Sequence, residues 1–343
     1  MAENLRSYLH WAASPLIVNA PMGGYGGGKL AARVTQAGGL GMIGSIMHDD
    51  LERELAVAQE ALGPIQGGHP LPIGVGVLPF VAEIDLVLPI LQQYQPAVLW
   101  LFAAKELEDY AVWAGRVREV SPQSKIWIQT GTVSAALKIA QLAKPDALIL
   151  QGADAGGHGF ERGASMVSLL PEASDVLTKA GLGNIPLLAS GGIADARGAA
   201  AAFTLGAAGV VLGTRFLAAR ETIVPPGYRD LVLAASDGAA STVRSKLFDN
   251  VNGPNIWPDA YDGRSLVTES YNDYVRGVDI DHIREMHRKS VTGTDAGFGM
   301  TNRANVWAGS GVGLVNKLEN AADIVEEVRS GVTQILKDAA ARL

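Results

Sequence analysis

His158 is the residue in this chain best suited to moving a proton. It lies in the run Gln151-Gly152-Ala153-Asp154-Ala155-Gly156-Gly157-His158-Gly159. Neighbours with almost no side chain let its imidazole face a bound ligand and accept or give a proton near neutral pH. Two further runs suit an anion: Ala189-Ser190-Gly191-Gly192-Ile193-Ala194-Asp195 and Leu212-Gly213-Thr214-Arg215. Their glycines let the backbone approach a ligand closely, and N–H groups at the start of a capped helix attract phosphate. Gln129 and Gln151 carry amides that both donate and accept, as reading a heterocycle edge requires, although a buried glutamine can equally satisfy loop backbone. Met22, Trp257 and Tyr261 offer apolar surface to line a pocket.

Other chemistries fail on residue type. Gly23 to Lys29 match the opening of a P-loop, but Leu30 stands where a magnesium-binding hydroxyl is required. The glycines of that loop, Gly23, Gly24, Gly26, Gly27 and Gly28, suit either close approach to a flat ligand or a tight turn. With no cysteine in the chain, there is no disulfide, thiolate metal site or cysteine nucleophile. His282 and His287 lack metal-ligand spacing, and His10, His48 and His69 have no clear partner, so no metal site is expected.

The elements that must hold these residues recur in a regular order. Eight short β-branched or leucine-rich runs precede polar or glycine-rich turns and then helical patterns. They are Leu16 to Ala20, Leu40 to Gly44, Ile73 to Val77, Ala97 to Phe102, Ile126 to Thr130, Ala147 to Gln151, Pro186 to Ser190 and Ala208 to Leu212. Most lack in/out alternation, as parallel strands buried on both faces do. Among the helices, Asp49 or Asp50 is read as the cap of a stripe through Leu51, Leu55, Ala58 and Leu62. Asp195 is read as the cap of Ala196 to Leu205, stopped by Gly206. This rhythm predicts an α/β fold, a (β/α)8 TIM barrel, over a doubly wound sheet, and places the active site on the loops after the strands. Residues 1–220 are expected to form the barrel, completed by a closing helix within 310–343 that includes Ala321 to Leu336. Residues 221–309, with Pro225-Pro226 and the charged stretch Asp279 to Lys289, are expected to form a smaller, largely helical cap over the substrate pocket.

Composition narrows the partners. Of 343 residues 48% are hydrophobic, and Lys plus Arg is 28 against Asp plus Glu 35, a formal charge of −7 without any basic tract. That excludes nucleic acid as the main partner. The most apolar window, Ala199 to Gly213, is too short and too interrupted for a membrane span and reads as a helix running into a buried strand. The start lacks the pattern of a secretory signal, so a cytoplasmic location is expected.

Four segments, in order, resemble the nitronate monooxygenase family, formerly called 2-nitropropane dioxygenases. They are Ala20-Pro21-Met22-Gly23, Gln151 to Gly159 with its Ala-Gly-Gly-His element, Ala189-Ser190-Gly191-Gly192-Ile193, and Gly209-Val210-Val211-Leu212-Gly213-Thr214. Tyr261-Asp262-Gly263-Arg264 and Trp307 to Leu314 are similar to that family's C-terminal segments. The resemblance implies a (β/α)8 barrel binding FMN without a metal. It implies phosphate on Gly191, Gly192, Gly213 and Thr214 and the flavin near Met22, Gln129 and Gln151. Ala20, Gly23, Gly156, Gly157 and Ser190 complete the implied cofactor contacts, and His158 matches the catalytic histidine. The implied reaction converts a nitronate, or a nitroalkane after deprotonation, with O2 to a carbonyl compound and nitrite; a homodimer is the assembly expected. The histidine element also occurs in FMN-dependent NAD(P)H reductases acting on enoyl-acyl-carrier-protein or quinones. That reading, and a non-catalytic binder of FMN or a phosphometabolite, stay open. An inosine-monophosphate-dehydrogenase-like reading does not, because it needs a cysteine nucleophile.

Overall fold

The computed structural model describes residues 3–45, 47–65 and 67–342. Eight parallel strands form a nearly closed barrel: β1 (Ile17–Asn19), β2 (Met42–Gly44), β3 (Leu71–Val77), β4 (Pro96–Leu101), β5 (Lys125–Thr130), β6 (Ala147–Gln151), β8 (Leu187–Ser190) and β9 (Gly209–Leu212). One further strand, β7 (Gly157–Phe160), leaves the barrel after β6. Each predicted run overlaps its strand, with ends that agree to within two residues, and the order β1-β9-β8-β6-β5-β4-β3-β2 excludes an open doubly wound sheet.

The burial of these strands on both faces divides their side chains between two cores. Leu16, Val18, Met42, Val98, Trp100, Trp127, Ile149, Leu188 and Val211 share one cluster with Leu5 and Leu9 of the N-terminal segment. Ile17, Ile43, Leu99, Ile128, Leu148, Ala189 and Val210, one residue out of phase, pack in a second cluster with the surrounding helices. That is the period-2 alternation of a barrel filled inside and covered outside. Trp127 donates its Nε1–H to the Tyr8 hydroxyl at 2.9 Å, tying the N-terminal segment to the inner cluster.

Closure between β1 and β2 depends on one buried side chain. A single bridge joins Val18 to Leu40. Beyond it the Asn19 amide accepts from Met42 N at 2.9 Å and donates to Met42 O at 2.8 Å. Asn19→Leu keeps the volume but leaves both backbone groups unpaired, so it should lower unfolding stability by about 2–4 kcal/mol. Urea melts of the two proteins measure the difference, and a loss under about 1 kcal/mol would place the closure elsewhere.

The eighth helical layer comes from far along the chain. After β9 the chain departs through Ala218–Arg220 and returns at Glu319, where Ala219 and Glu319 form a parallel bridge. Arg215, buried just after β9, pairs with Glu319. The helix Ala321–Ala340 then packs against Ala196–Thr204 and Gly28–Gln36 and closes the outer ring. Among the described residues no helix is long and apolar enough to cross a membrane, and Ala199 to Gly213 is the end of a barrel helix followed by β9.

Three details differ from the sequence reading. Asp49 and Asp50 do not cap their helix: it spans His48–Leu62 with Met47 at the N-cap, so both acids lie in the first turn. They still suit its positive end. The segment expected to be largely helical also contributes β10 (Thr242–Ser245) and β11 (Tyr261–Leu266), which with β7 form a three-stranded antiparallel sheet. Finally, β7 is a strand that none of the eight runs includes, because a glycine-rich stretch carries no apolar alternation.

Candidate active site

At the carboxyl ends of the strands lies a cavity of about 380 Å³, mostly apolar in its lining. Ala20, Met22 and Gly23 line it from the loop after β1, and Gln129 and Gln151 from β5 and β6. Gly156, Gly157 and His158 follow from the next loop, Ser190 from the end of β8, and Gly213 and Thr214 from the end of β9. Gly191 and Gly192 line an adjoining slot of about 60 Å³ that shares Ala20, Gln151, Gly156, Ser190, Gly213 and Thr214 with the cavity. The barrel thus gathers at one mouth every residue singled out for the cofactor, together with His158. Trp257 also lines the cavity, but Tyr261 does not: it is buried between Phe102 and Phe160.

His158 is fixed at both backbone and ring. Its backbone pairs with Gly263 of β11, where a Cβ would meet the Trp307 ring at 2.5 Å. The imidazole stacks on Trp257 at 3.6 Å and 7° and leans on Trp307 at 4.7 Å. Its Nε2 lies 2.8 Å from Asp249 Oδ1, with the two side chains 14% and 10% exposed. The other lining groups able to ionise, Tyr25 and Tyr228, are phenols whose pKa burial pushes upward. They stay protonated at neutral pH. Among the described lining residues His158 carries the only imidazole.

The two glutamines are oriented by hydrogen bonds. Gln129 Oε1 accepts from Trp100 Nε1 at 3.1 Å, which leaves its NH2 as a donor toward the cavity. Gln151 donates its Nε2–H to His158 O at 3.1 Å and so steadies the start of β7. Gln151 thus satisfies loop backbone, while Gln129 keeps an NH2 free to donate.

The slot has the form of an anion cradle. Gly191 and Gly192 hold φ of +92° and +74°, in the region that favours glycine. Among the described residues no acceptor engages the N–H of Gly191, Gly192, Gly213 or Thr214. Thr214 Oγ1 accepts from Gly309 N at 3.0 Å and keeps its own O–H free to donate. Among the described residues no Lys or Arg lines the slot, so an anion there would be met by N–H dipoles and hydroxyls. The neighbouring helix contributes less than its sequence suggested: the Asp195 carboxylate takes the first N–H groups, those of Arg197 and Gly198, at 2.8 and 3.2 Å. The glycine backbone lining the slot supplies its open donors.

Sequence reasoning missed Asp249, and it noted Trp307 to Leu314 only as a segment of resemblance, without a place in the site. Asp249 sits 91 residues from His158 in a four-residue helix, Leu247–Asn250, with no motif around it. The loop at Gly309 and Ser310 packs on the 154–156 turn, where a Cβ on Gly156 would meet Ala308 C at 2.4 Å and Ser310 N donates to Asp154 O at 3.0 Å. Its glycines were the available signal. Among the described residues there is no group of three or more His, Asp or Glu able to hold a metal ion.

An eight-stranded parallel barrel with its convergent polar groups at the strand ends is the architecture of TIM-barrel enzymes. The family model for nitronate monooxygenase matches residues 119–331. The chain is 41% identical to a nitronate monooxygenase of Metarhizium robertsii over 99% of its own length and 97% of that protein. It is 36% identical to a nitronate monooxygenase of Neurospora crassa, over 97% and 93%. It therefore belongs to the nitronate monooxygenase family of oxidoreductases. Among solved structures, FabK of Thermotoga maritima superposes with a TM-score of 0.77 at 24% identity over 100% of both chains. The nitroalkane oxidase of Streptomyces ansochromogenes superposes at 0.74 and 22% identity over 97% of this chain and 99% of that one. At these identities the two share the fold.

Proposed function

We propose that this protein uses FMN to oxidise alkyl nitronates, and nitroalkanes once deprotonated, with O2 to carbonyl compounds and nitrite. The observation that carries the reading is the placement of His158, the one imidazole among the described lining residues, in the same mouth as a slot of unengaged backbone N–H groups. The family supports it, and so does the fit of the residues to a flavin mononucleotide. The glycine slot accepts a phosphate, which a Cβ at Gly213 would obstruct, and the apolar cavity beside it accepts a flat ring system. Gly191, Gly192, Gly213 and Thr214 would hold the phosphate, while Met22 and the Gln129 NH2 would meet the ring. When bound, FMN supplies the electron transfer that no side chain here can perform. The protein's own part is positional. His158 takes the carbon-bound proton of a neutral nitroalkane and afterwards, as imidazolium, holds the negative nitro group by hydrogen bond and charge. The tryptophans beside it exclude water.

The decisive experiment mixes flavin-loaded protein anaerobically with propyl nitronate, and separately with NADH and NADPH, while the flavin spectrum is followed. Bleaching by the nitronate alone is expected. Bleaching only by a reduced nicotinamide would favour a reductase, and bleaching by none a binding protein. Chelation should leave nitronate turnover intact, since the proposed chemistry calls on no metal. Activity lost to a chelator and restored by a single divalent cation would overturn that part.

A further inference from the structure

We infer that Asp249 is a positioning residue that sets the tautomer of His158, making Nδ1 the atom that takes the substrate proton. This inference rests on the base role proposed above. Asp249 does not line the cavity, so it can act only through the imidazole. A carboxylate accepts hydrogen bonds and cannot donate them, so the Nε2 lying 2.8 Å from Asp249 Oδ1 must carry the hydrogen. In the neutral ring the lone pair is then on Nδ1, and no hydrogen bond engages that atom among the described residues. Without the carboxylate, either nitrogen could carry the proton and the base would be present only part of the time.

The surroundings are arranged to keep this contact. The carbonyls on either side of Asp249 are both held by side chains from distant parts of the segment: Arg284 Nε donates to Asn250 O at 2.8 Å, and Asn305 Nδ2 to Phe248 O at 2.6 Å. The imidazole is held between Trp257 and Trp307. Asp249 Oδ2 is buried with no hydrogen-bond partner. A purely structural carboxylate would be expected to satisfy both oxygens, since leaving one buried and unbonded is costly. Its whole hydrogen-bonding capacity is directed to one ring nitrogen. In the step itself the C–H bond breaks and an N–H bond forms at Nδ1. The released electron pair spreads onto the nitro oxygens, and the Asp249 carboxylate faces the imidazolium that results. No co-reactant is needed for that step.

The tautomer can be read directly in the intact protein. Long-range nitrogen–proton NMR of the histidine rings, with the His158 signals assigned by their loss in His158→Asn, should show neutral His158 protonated at Nε2. A neutral ring protonated at Nδ1 would overturn the inference, and this measurement needs no variant of Asp249. In Asp249→Asn the amide can donate to Nε2 and reverse the tautomer. kcat/KM for a nitroalkane should then fall about 100-fold, and that for its preformed nitronate by a much smaller factor. Asp249→Glu, which restores the carboxylate, should recover the Nε2–H signal and part of the rate. Equal losses on both substrates, or an unchanged tautomer in Asp249→Asn, would reduce Asp249 to a structural residue. If His158→Asn spares nitroalkane oxidation, the base role itself fails. If His158→Asn abolishes it and Asp249→Asn does not, only the inference about Asp249 falls.

Discussion

Replacing His158 by Asn should lower kcat/KM for a neutral nitroalkane by about 100-fold or more, and lower it far less for the same substrate supplied as its nitronate. The asymmetry follows from what each substrate still needs. A nitroalkane must lose a proton from carbon, and the other ionisable lining groups, Tyr25 and Tyr228, are phenols kept protonated by burial. A nitronate has already lost that proton and asks only for hydrogen bonding, which an asparagine amide of similar reach can supply. The measurement is steady-state kcat/KM for both forms of one substrate, on variant protein with full flavin content. Equal losses would remove the base role, and no loss with either would leave His158 a packing residue between two tryptophans.

The second large effect concerns the cofactor. Gly213 has an ordinary backbone with φ of −99°, and a Cβ there would meet nothing nearer than Ala20 Cβ at 3.5 Å. Gly213→Val should therefore fold normally while its side chain projects into the slot. The dissociation constant for FMN should rise about 100-fold, equivalent to about 2.7 kcal/mol. Riboflavin, which lacks the phosphate, should discriminate much less between wild type and variant. Fluorescence titration of the apoprotein with both ligands checks this, and unchanged FMN affinity would place the phosphate elsewhere. Gly191→Val is a poorer probe: its Cβ would meet Gly152 O at 2.6 Å, at a φ of +92°. It should destabilise the fold as well as release the cofactor.

The strands were legible because parallel barrel strands are buried on both faces and so appear as short uninterrupted apolar runs, with a polar or glycine-rich turn after each. The Asp195 cap and the Gly206 stop were legible for a similar reason, since both act within a few residues of the helix they bound. So were His158 and the glycines at 191, 192 and 213, because the chemistry they suit is set by residue type and by position after a strand. Asp249 was not. It faces His158 only because β7 leaves the barrel and pairs with β11, in the register that opposes His158 to Gly263, 105 residues further on, and that pairing brings the Leu247–Asn250 helix over the ring. A glycine-rich strand offers no alternation to announce itself, and a lone aspartate carries no information about what it will face. The sequence by itself determined the barrel, the mouth at which the candidate residues gather, and the residue proposed to exchange a proton, because local burial and backbone freedom depend on near neighbours. The tertiary structure alone decided which nitrogen of that residue is held, which glutamine is left free to donate, and which backbone N–H groups stay open, because each depends on partners brought together across the fold.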